Sequence, residues 1–416
     1  MGLLQCNDLF SLFVFIEITT ILSTILIIYE KNGYAIKSGI YYLLFNSVGM
    51  LFYQLGFIFL YTTMGTLNMT LLTERLAVVP HSSILRLANL FFLVAICVKS
   101  AIFPVYNWLP RAHSAAPSAI SALLSGLLVK SGIYAFIRIQ ALFGLTFMNS
   151  FFFSLGLLSA VSGMIFALSQ KDLKQILAYS TVSQIGLIVM GLSQPNTMMY
   201  LGGITHLVNH SLIKSLLFLC AGVIIHHTGK RKITEIRGIF KTMPLLSIAM
   251  IVGMVSITGG FLTNGYLSKS LLVYGLQKQG ITARLVYEVI NLGTITYFMK
   301  IAQIFFGPPC TKPQKIVLGQ RVAISLLASI CLIIPWFYSS IWGFFGLDLP
   351  TLTLFSWSKF FLLSFQVAIG FVCLKWMMNQ EPKFMSTIRH FQLSFGASNG
   401  LMLFFLILMI AAADLL

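Results

Sequence analysis

A succession of long apolar runs, parted by short charged or Gly/Pro-bearing stretches, constrains this chain more than any other feature. About twelve runs can be marked, near residues 9–29, 39–62, 86–108, 117–140, 151–169, 173–193, 199–226, 243–276, 283–306, 321–341, 353–377 and 395–414. About 20 apolar helical residues cross the hydrocarbon core of a bilayer. In hydrocarbon every backbone N–H and C=O must find a partner within the fold, so such runs become helices. The expectation is an all-α, polytopic membrane protein of about 12 transmembrane helices. Charge scarcity closes the alternative: 9% of the residues are charged, where a soluble domain carries about 25%. The first run has no basic residue ahead of it, Lys31 being the first in the chain, and no small-residue cleavage site. It reads as the first span rather than as a secretory leader.

The charges that exist are lopsided, with 27 Lys and Arg against 10 Asp and Glu and a formal net charge of +17. Almost no soluble surface is left to carry a nucleic-acid site. The excess is therefore read as a topology signal, because cytoplasmic loops retain Lys and Arg. If the spans alternate strictly, sixteen basic residues fall in the loops after runs 1, 3, 5, 7, 9 and 11. They include Lys171, Lys174, the Lys230–Lys241 cluster and Lys312. Six, Lys278 among them, fall in the opposite loops, and five lysines remain inside runs. This puts the cationic loops in the cytoplasm and both termini outside. The Lys230–Lys241 cluster is read as a solvated turn, with a lipid-headgroup or partner contact as the sharper alternative.

Two runs are interrupted: the third meets Pro104 and Pro110, the eighth Gly259, Gly260 and Gly265. A broken helix bares backbone groups, which a membrane tolerates only against protein or a wet cavity. Paired breaks are a sequence pointer to a transport site. Ionisable residues inside the runs also need a reason, at about 2.5–3.5 kcal/mol each near the bilayer centre on insertion scales. Glu17 stands in an otherwise uncharged run, Lys99 five residues before Pro104, Lys130 near mid-run and Lys269 just past the glycines. His206, His210 and Lys214, at i, i+4 and i+8, share one helical face. Imidazole titrates near neutrality. Burial destabilises an ammonium and a nearby carboxylate restores it. These residues therefore compose a candidate proton relay. Lys300, late in its run, reads equally as a snorkelling lysine or a weaker relay member. A zinc site at His206 and His210 is the rival reading, with no third ligand evident. The six cysteines stand singly, and no nucleotide loop, GxSxG or HExxH motif appears. No cofactor and no metal is expected, and any chemistry lies in the spans of a transporter subunit rather than in an enzyme's soluble site.

The stretches VKSAIFPVYNWLPRAHSAAPSAISALLSGLLVKSGIY (98–134), QKDLKQILAYSTVSQIGLI (170–188) and HLVNHSLIKSLLFLCAGVI (206–224) carry a family likeness. They resemble the antiporter-like subunits shared by respiratory complex I, membrane-bound hydrogenases and Mrp-type Na+/H+ antiporters. NDLFSLFVFIEI, GTLNM (65–69), AHSAAPS, NGYLSKSLL and GTITYFMKIAQIFFG resemble most the D-type component of Mrp antiporters and its hydrogenase relatives. The likeness runs over about 7–306. It implies two inverted five-helix repeats, each with a broken helix carrying a key lysine. The first repeat would occupy 1–140, shortened at its start, the second 141–306, with additional helices over 307–416. It further implies that Glu17 and Lys99 are the first-repeat Glu–Lys pair and Lys130 the connecting lysine. His206, His210 and Lys214 would be the central relay, and Lys269 the exit lysine.

Two departures from the family pattern add expectations. Members usually have about four helices before the Glu-bearing one, which predicts a separate chain supplying them or a shortened paralogue. The second break reads GGFLTNG, without the family's proline, which predicts a milder interruption. The expected function is a proton/cation-translocating subunit of a multi-subunit Na+(K+)/H+ antiporter. Its partners would be other membrane subunits, the bilayer, H+ and Na+ or K+, with no nucleic acid. A proton-pumping subunit of complex I or of a hydrogenase stays open, as does an inactive scaffold. The expected location is a bacterial inner membrane, with the mitochondrial inner membrane as alternative.

Overall fold

The computed structural model describes residues 1–79, 82–144, 148–277, 279–310, 315–344, 346, 355–380 and 382–415. Lys278 and Lys312, counted among the loop charges, and the start of the run near 353 lie outside the described residues.

The apolar runs are helical over most of their described residues, the third and eighth being interrupted. The principal helices of the first half are α1 (Leu9–Ile27), α2 (Gly33–Met64), α3 (Met69–Val78), α4 (Ser83–Lys99), α5 (Trp108–Ala115) and α6 (Ser118–Phe143). Then come α7 (Asn149–Ser169), α8 (Leu173–Leu192), α9 (Thr197–Thr228), α10 (Pro244–Thr258), α11 (Asn264–Leu276) and α12 (Ile281–Ala302). The last are α13 (Leu318–Phe344), α14 (Trp357–Asn379), α15 (Lys383–His390) and α16 (Phe395–Leu415). Nine described helices are long and apolar enough to cross a membrane. The broken pairs α4/α5 and α10/α11, together with α12, account for the other three runs.

One local design occurs twice, 164 residues apart. Asp8 caps α1 by accepting from Ser11 N, and Asp172 caps α8 by accepting from Gln175 N. Asn32 and Asn196 cap the two 32-residue helices α2 and α9, which both end on a left-handed glycine, Gly65 and Gly229. Side-chain oxygens satisfy the free N–H groups of a first turn, and glycine takes the left-handed C-terminal position without a Cβ penalty. An antiparallel backbone bridge then ties each start to the stretch after the long helix, Asp8 to Asn68 and Asp172 to Lys232. Glu30, past the end of α1, shares a cavity with His226 at the end of α9. The two bridges therefore lie at opposite ends of the bundle, and the second unit runs upside down relative to the first.

Both breaks are real, and bonds from other side chains reach backbone groups at each. After Lys99 the chain is non-helical over 100–107, with Ala101 at φ 54°, before α5 begins. Trp108 Nε1 donates to the freed carbonyl of Val98 at 2.8 Å, and Phe103 N donates to Ser159 Oγ at 3.2 Å. Pro110 does not interrupt anything: it sits in the first turn of α5, where a missing N–H costs nothing. The second break is shorter, 259–263, with Gly259 and Leu262 at positive φ. Asn209 Nδ2 reaches across from α9 to Asn264 O at 2.8 Å. A Cβ on Gly265 would lie 1.7 Å from Ser256 O, so glycine alone lets α11 restart against the end of α10. The last helices fold back: α14 lies along α12, and α16 along α4 and α2. Tyr41 Oη to Ser398 Oγ (2.8 Å) and Arg111 to Leu393 O (2.5 Å) fasten that return.

Candidate functional site

The ionisable residues singled out in the spans form a row through the middle of the bundle, carried by α1, α4, α6, α9 and α11. Lys99 ends α4 at the break and is 3% exposed. Its Nζ donates to Thr20 Oγ1 of α1 at 2.6 Å and stands 5.8 Å from the centre of the Tyr42 ring. Glu17, one turn before Thr20, lies within electrostatic reach of Lys99 without forming an ion pair with it. Its Oε1 is buried with no hydrogen-bond partner among the described residues. Lys99 thus reaches α1 through the Thr20 hydroxyl, one turn from Glu17, rather than through the Glu17 carboxyl itself.

Lys130 follows on α6, whose turn Leu124–Leu128 is widened to π geometry. Such a turn shifts the hydrogen-bond ladder by one residue and often marks a functional site. Here the carbonyl of Ser125, inside that turn, accepts from Lys130 Nζ, and Ser125 Oγ is 2.9 Å from Thr181 Oγ1 of α8. Gly132, also on α6, lies so near the α4 terminus that a Cβ would stand 3.0 Å from the carbonyl carbon of Lys99. The absent side chain brings the Lys130 helix directly onto the Lys99 break.

On α9, His206, His210 and Lys214 are all fully buried on one face. The two imidazole centres are 6.0 Å apart. Lys214 donates to Leu177 O at 3.0 Å and to Ser180 Oγ, below the Phe298 ring at 5.9 Å. His206 Nε2 is 3.0 Å from Gln184 Oε1, and Nδ1 is 3.0 Å from Ser268 Oγ. An amide oxygen only accepts, so Nε2 carries a proton in this arrangement. Ser268 can donate either to His206 Nδ1 or to Gly265 O, 3.2 Å away. With the first orientation His206 is a neutral imidazole; with the second it is an imidazolium. One hydroxyl rotation therefore accommodates both protonation states. Neither nitrogen of His210 has a hydrogen-bond partner among the described residues, and its charged neighbours are Lys130, Lys214 and Lys269.

Lys269 lies in α11, adjacent to Ser268, and is 5% exposed. Its Nζ donates to Asn291 Oδ1 of α12 at 2.7 Å. Lys300 stands apart from this group: its ammonium donates to Leu168 O (2.7 Å) and Gln170 O (2.6 Å), at the C-terminal end of α7. A cation there complements the helix dipole and the terminal carbonyls.

Two cavities lie toward opposite ends of α9, and one of them is lined by Lys269. One of about 500 Å³, at the end where α9 terminates, is lined by Glu30, Lys174, His226 and Ser118 among others. The other, about 290 Å³, runs from the second break toward the end where α9 starts, past Lys269, Glu288, Asn291, Lys359 and Gln366.

Several of these residues escaped the sequence reading. Lys174 was counted as a loop charge. It is buried in the first turn of α8 and donates to Ala116 O at 2.9 Å, because Asp172 starts that helix two residues earlier. His113, inside AHSAAPS, is fully buried, stacked 4.5 Å from the Phe218 ring, with both ring nitrogens lacking a partner among the described residues. The uncharged members Thr20, Gln184, Ser268, Asn291 and Gln366 had no signal beyond being polar in an apolar run.

Residues 6–294 match the family model described as NADH:quinone oxidoreductase/Mrp antiporter, transmembrane. The chain is similar to the D-type component of the Na(+)/H(+) antiporter of Alkalihalophilus pseudofirmus, with 33% identity over 304 residues, 72% of this chain and 62% of that one. It is similar to the same degree to the N-type component of the NADH-quinone oxidoreductase of Desulforudis audaxviator, 33% over 311 residues, 73% and 62% of the two chains. The chain thus spans 62% of the length of each of these relatives. Among solved structures, a chain of the archaeal membrane-bound sulfane sulfur reductase superposes with a TM-score of 0.76 at 26% identity, covering 82% of this chain and 71% of that chain. A chain of the Mrp complex from Dietzia sp. shares the fold with a TM-score of 0.74 at 22% identity, covering 93% and 77%.

Proposed function

The chain belongs to the NADH:quinone oxidoreductase/Mrp antiporter transmembrane family, and from that premise we propose that it is a proton- and cation-translocating subunit of a multi-subunit Na+(K+)/H+ antiporter. The observation that carries this reading is the row of buried ionisable groups from Glu17 and Lys99, through Lys130, His206, His210 and Lys214, to Lys269, which opens on a cavity. Buried charges in a membrane are costly and mark ion pathways. Alternation of ammonium and imidazole supplies groups that hold and pass a proton. In this reading Glu17 compensates Lys99 when it is protonated, Lys130 connects the two halves, and His206 and His210 pass the proton toward Lys269. Lys300 is a structural cap and at most a minor member.

The two units of opposite sense fit a first repeat over 1–140 and a second over 141–306, with added helices over 307–416. Other membrane subunits complete the machine, and a bacterial inner membrane is its site. A second reading, a proton-pumping subunit of NADH:quinone oxidoreductase, draws on the equal identity to the N-type component of that complex. It uses the same row with a different source of energy. The test is Lys99→Ala and Glu17→Ala in the native complex within inverted membrane vesicles. Both variants are expected to assemble and to lose ion-coupled proton movement. Wild-type transport in either one removes the relay. Which of cation gradient or quinone reduction drives the wild-type complex separates the two readings.

A further inference from the structure

Beyond Lys269 the structure continues the row with groups that no sequence argument singled out. Asn291 Oδ1 accepts from Lys269 Nζ at 2.7 Å, Asn291 Nδ2 donates to Gln366 Oε1 at 3.0 Å, and Gln366 Nε2 donates to Glu288 Oε2 at 2.8 Å. All three bonds point the same way, from α11 through α12 and α14 and back to α12. Asn291 and Gln366 are buried, at 9% and 6% exposure. Two amides so oriented align their dipoles between an ammonium and a carboxylate, and neighbouring bonds in such a chain polarise one another. All four residues line the 290 Å³ cavity.

We propose that Glu288 is the terminal proton acceptor of the row, the group on which a proton released by Lys269 rests before it leaves through this cavity. The assignment rests on the relay reading above and extends it by one carboxylate and two positioning amides. An amide has no proton to surrender and regain at ordinary pH, so Asn291 and Gln366 do not carry the proton. They fix the two termini and couple their charges. The step itself breaks an N–H bond of the Lys269 ammonium and forms an O–H bond on the Glu288 carboxylate by way of the cavity both groups share, leaving a neutral amine and a carboxylic acid. When Lys269 loses its proton, the carboxylate at the other end of the dipole chain is left uncompensated. The proton it takes up restores neutrality. Release from Glu288 to the outlet then resets the site.

The groups facing Glu288 are consistent with an outlet. On its own helix stand Arg284, one turn earlier, Tyr287 and Asn291. α11 presents Tyr266 and Lys269, and α14 presents Lys359 and Gln366. Lys359 is held aside by Ser270 Oγ at 2.9 Å and by the Tyr266 ring at 5.0 Å. α7 and α10, which also pack on α12, contain no ionisable side chain, and α8, which packs on it too, has Lys174 bonded to Ala116 O and Tyr179 stacked on Phe166. Glu288 is thus the one carboxylate among the residues lining this cavity, which it shares with the cationic side chains of Arg284 and Lys359 besides Lys269.

The experiment compares Glu288→Gln, Gln366→Leu, Lys269→Ala and the remote, exposed Glu74→Gln in the reconstituted native complex, following transport against pH on the release side. Glu288→Gln keeps a hydrogen-bond acceptor and removes the titration, and transport is expected to fall about tenfold or more, with the pH dependence flattened. Gln366→Leu keeps the carboxylate and breaks the bridge. It is expected to move the pH profile along the axis, whereas a merely structural defect lowers the rate at every pH. Glu74→Gln is expected to match wild type. Should Glu288→Gln fail to assemble, Gln366→Leu and Gln366→Glu decide, and unshifted profiles in both overturn the proposal. An inactive Lys269→Ala beside a Glu288→Gln of wild-type rate and profile overturns the Glu288 assignment alone. Wild-type transport in Lys269→Ala would instead remove the exit lysine of the underlying relay.

Discussion

Replacing Gly265 with alanine should disable the pathway without touching an ionisable group. A Cβ at this position would stand 1.7 Å from Ser256 O and 2.6 Å from Ser256 C, against an ordinary contact of 3.4 Å or more. Both atoms are backbone of α10, so no flexible side chain can yield. The start of α11 must retreat by roughly 1.5 Å, about one helical rise per residue. Ser268 and Lys269 lie on the next turn. Their bonds to His206 (3.0 Å) and Asn291 (2.7 Å) would stretch past the hydrogen-bond limit. Overpacking of this kind costs about 1–3 kcal/mol, and a misplacement of about 1 Å at reacting groups can cost roughly 100-fold in rate. The expected result is a complex that still assembles, melts a few degrees lower and moves protons about 100-fold more slowly. The assay is pH-gradient dye quenching in inverted vesicles, normalised to assembled complex, beside a thermal midpoint. Gly396→Ala, where nothing lies within 4 Å of the added Cβ, is the control and should be silent. Gly265→Ala with wild-type rate and midpoint would refute the close approach. A lowered midpoint with an unchanged rate per complex would refute the coupling of that approach to transport.

Four further outcomes follow from particular contacts. Lys214→Met should abolish transport while leaving assembly intact, since Ser180 keeps its bond to Leu177 O; transport at wild-type level would remove Lys214 from the path. Gln184→Leu strips His206 Nε2 of its acceptor. Leaving a buried donor unpaired costs about 1–3 kcal/mol, read as a lower melting midpoint, and an unchanged midpoint would count against the bond. Asp172→Ala loses both a helix cap and the 2.8 Å ion pair to Arg231, whereas Asp8→Ala loses a cap. Each cap is worth about 1 kcal/mol, so Asp172→Ala should be the more destabilised of the two in a melting comparison. A reporter tag placed in the 231–237 loop and another beside Ile281 should be accessible from opposite faces of the membrane. Labelling from the same face would overturn the arrangement of the two cavities.

The helices were legible because the bilayer leaves little choice. A run of about 20 apolar residues has one backbone solution. The ionisable members of the row were legible for a related reason: Glu17, Lys99, Lys130, His206, His210, Lys214 and Lys269 are each conspicuous where charge is expensive. Lys174 was counted with the loop charges although its run was drawn from about 173, because nothing in the sequence pairs a first-turn lysine with Ala116 O on a distant stretch. Pro110 looked like part of a break and proved to be a first-turn residue, since a proline reads the same in either setting.

What the sequence determined by itself was the inventory: all-helical spans, two interruptions and the kinds of group able to hold a proton. Tertiary structure decided the connections. Thr20 reaches Lys99 from α1, Gln184 and Ser268 hold His206 from α8 and α11, and Gln366 reaches Glu288 from α14, with 79, 22, 62 and 78 residues separating the partners. Uncharged hydroxyls and amides cost too little in a span to stand out, so their roles come from what lies opposite. Glu288 shows the division most plainly. In the sequence it is one acid near the start of a helix. Packed against α11 and α14, it ends a chain of bonds that begins at Lys269, because helix packing, not residue type, sets which polar groups meet.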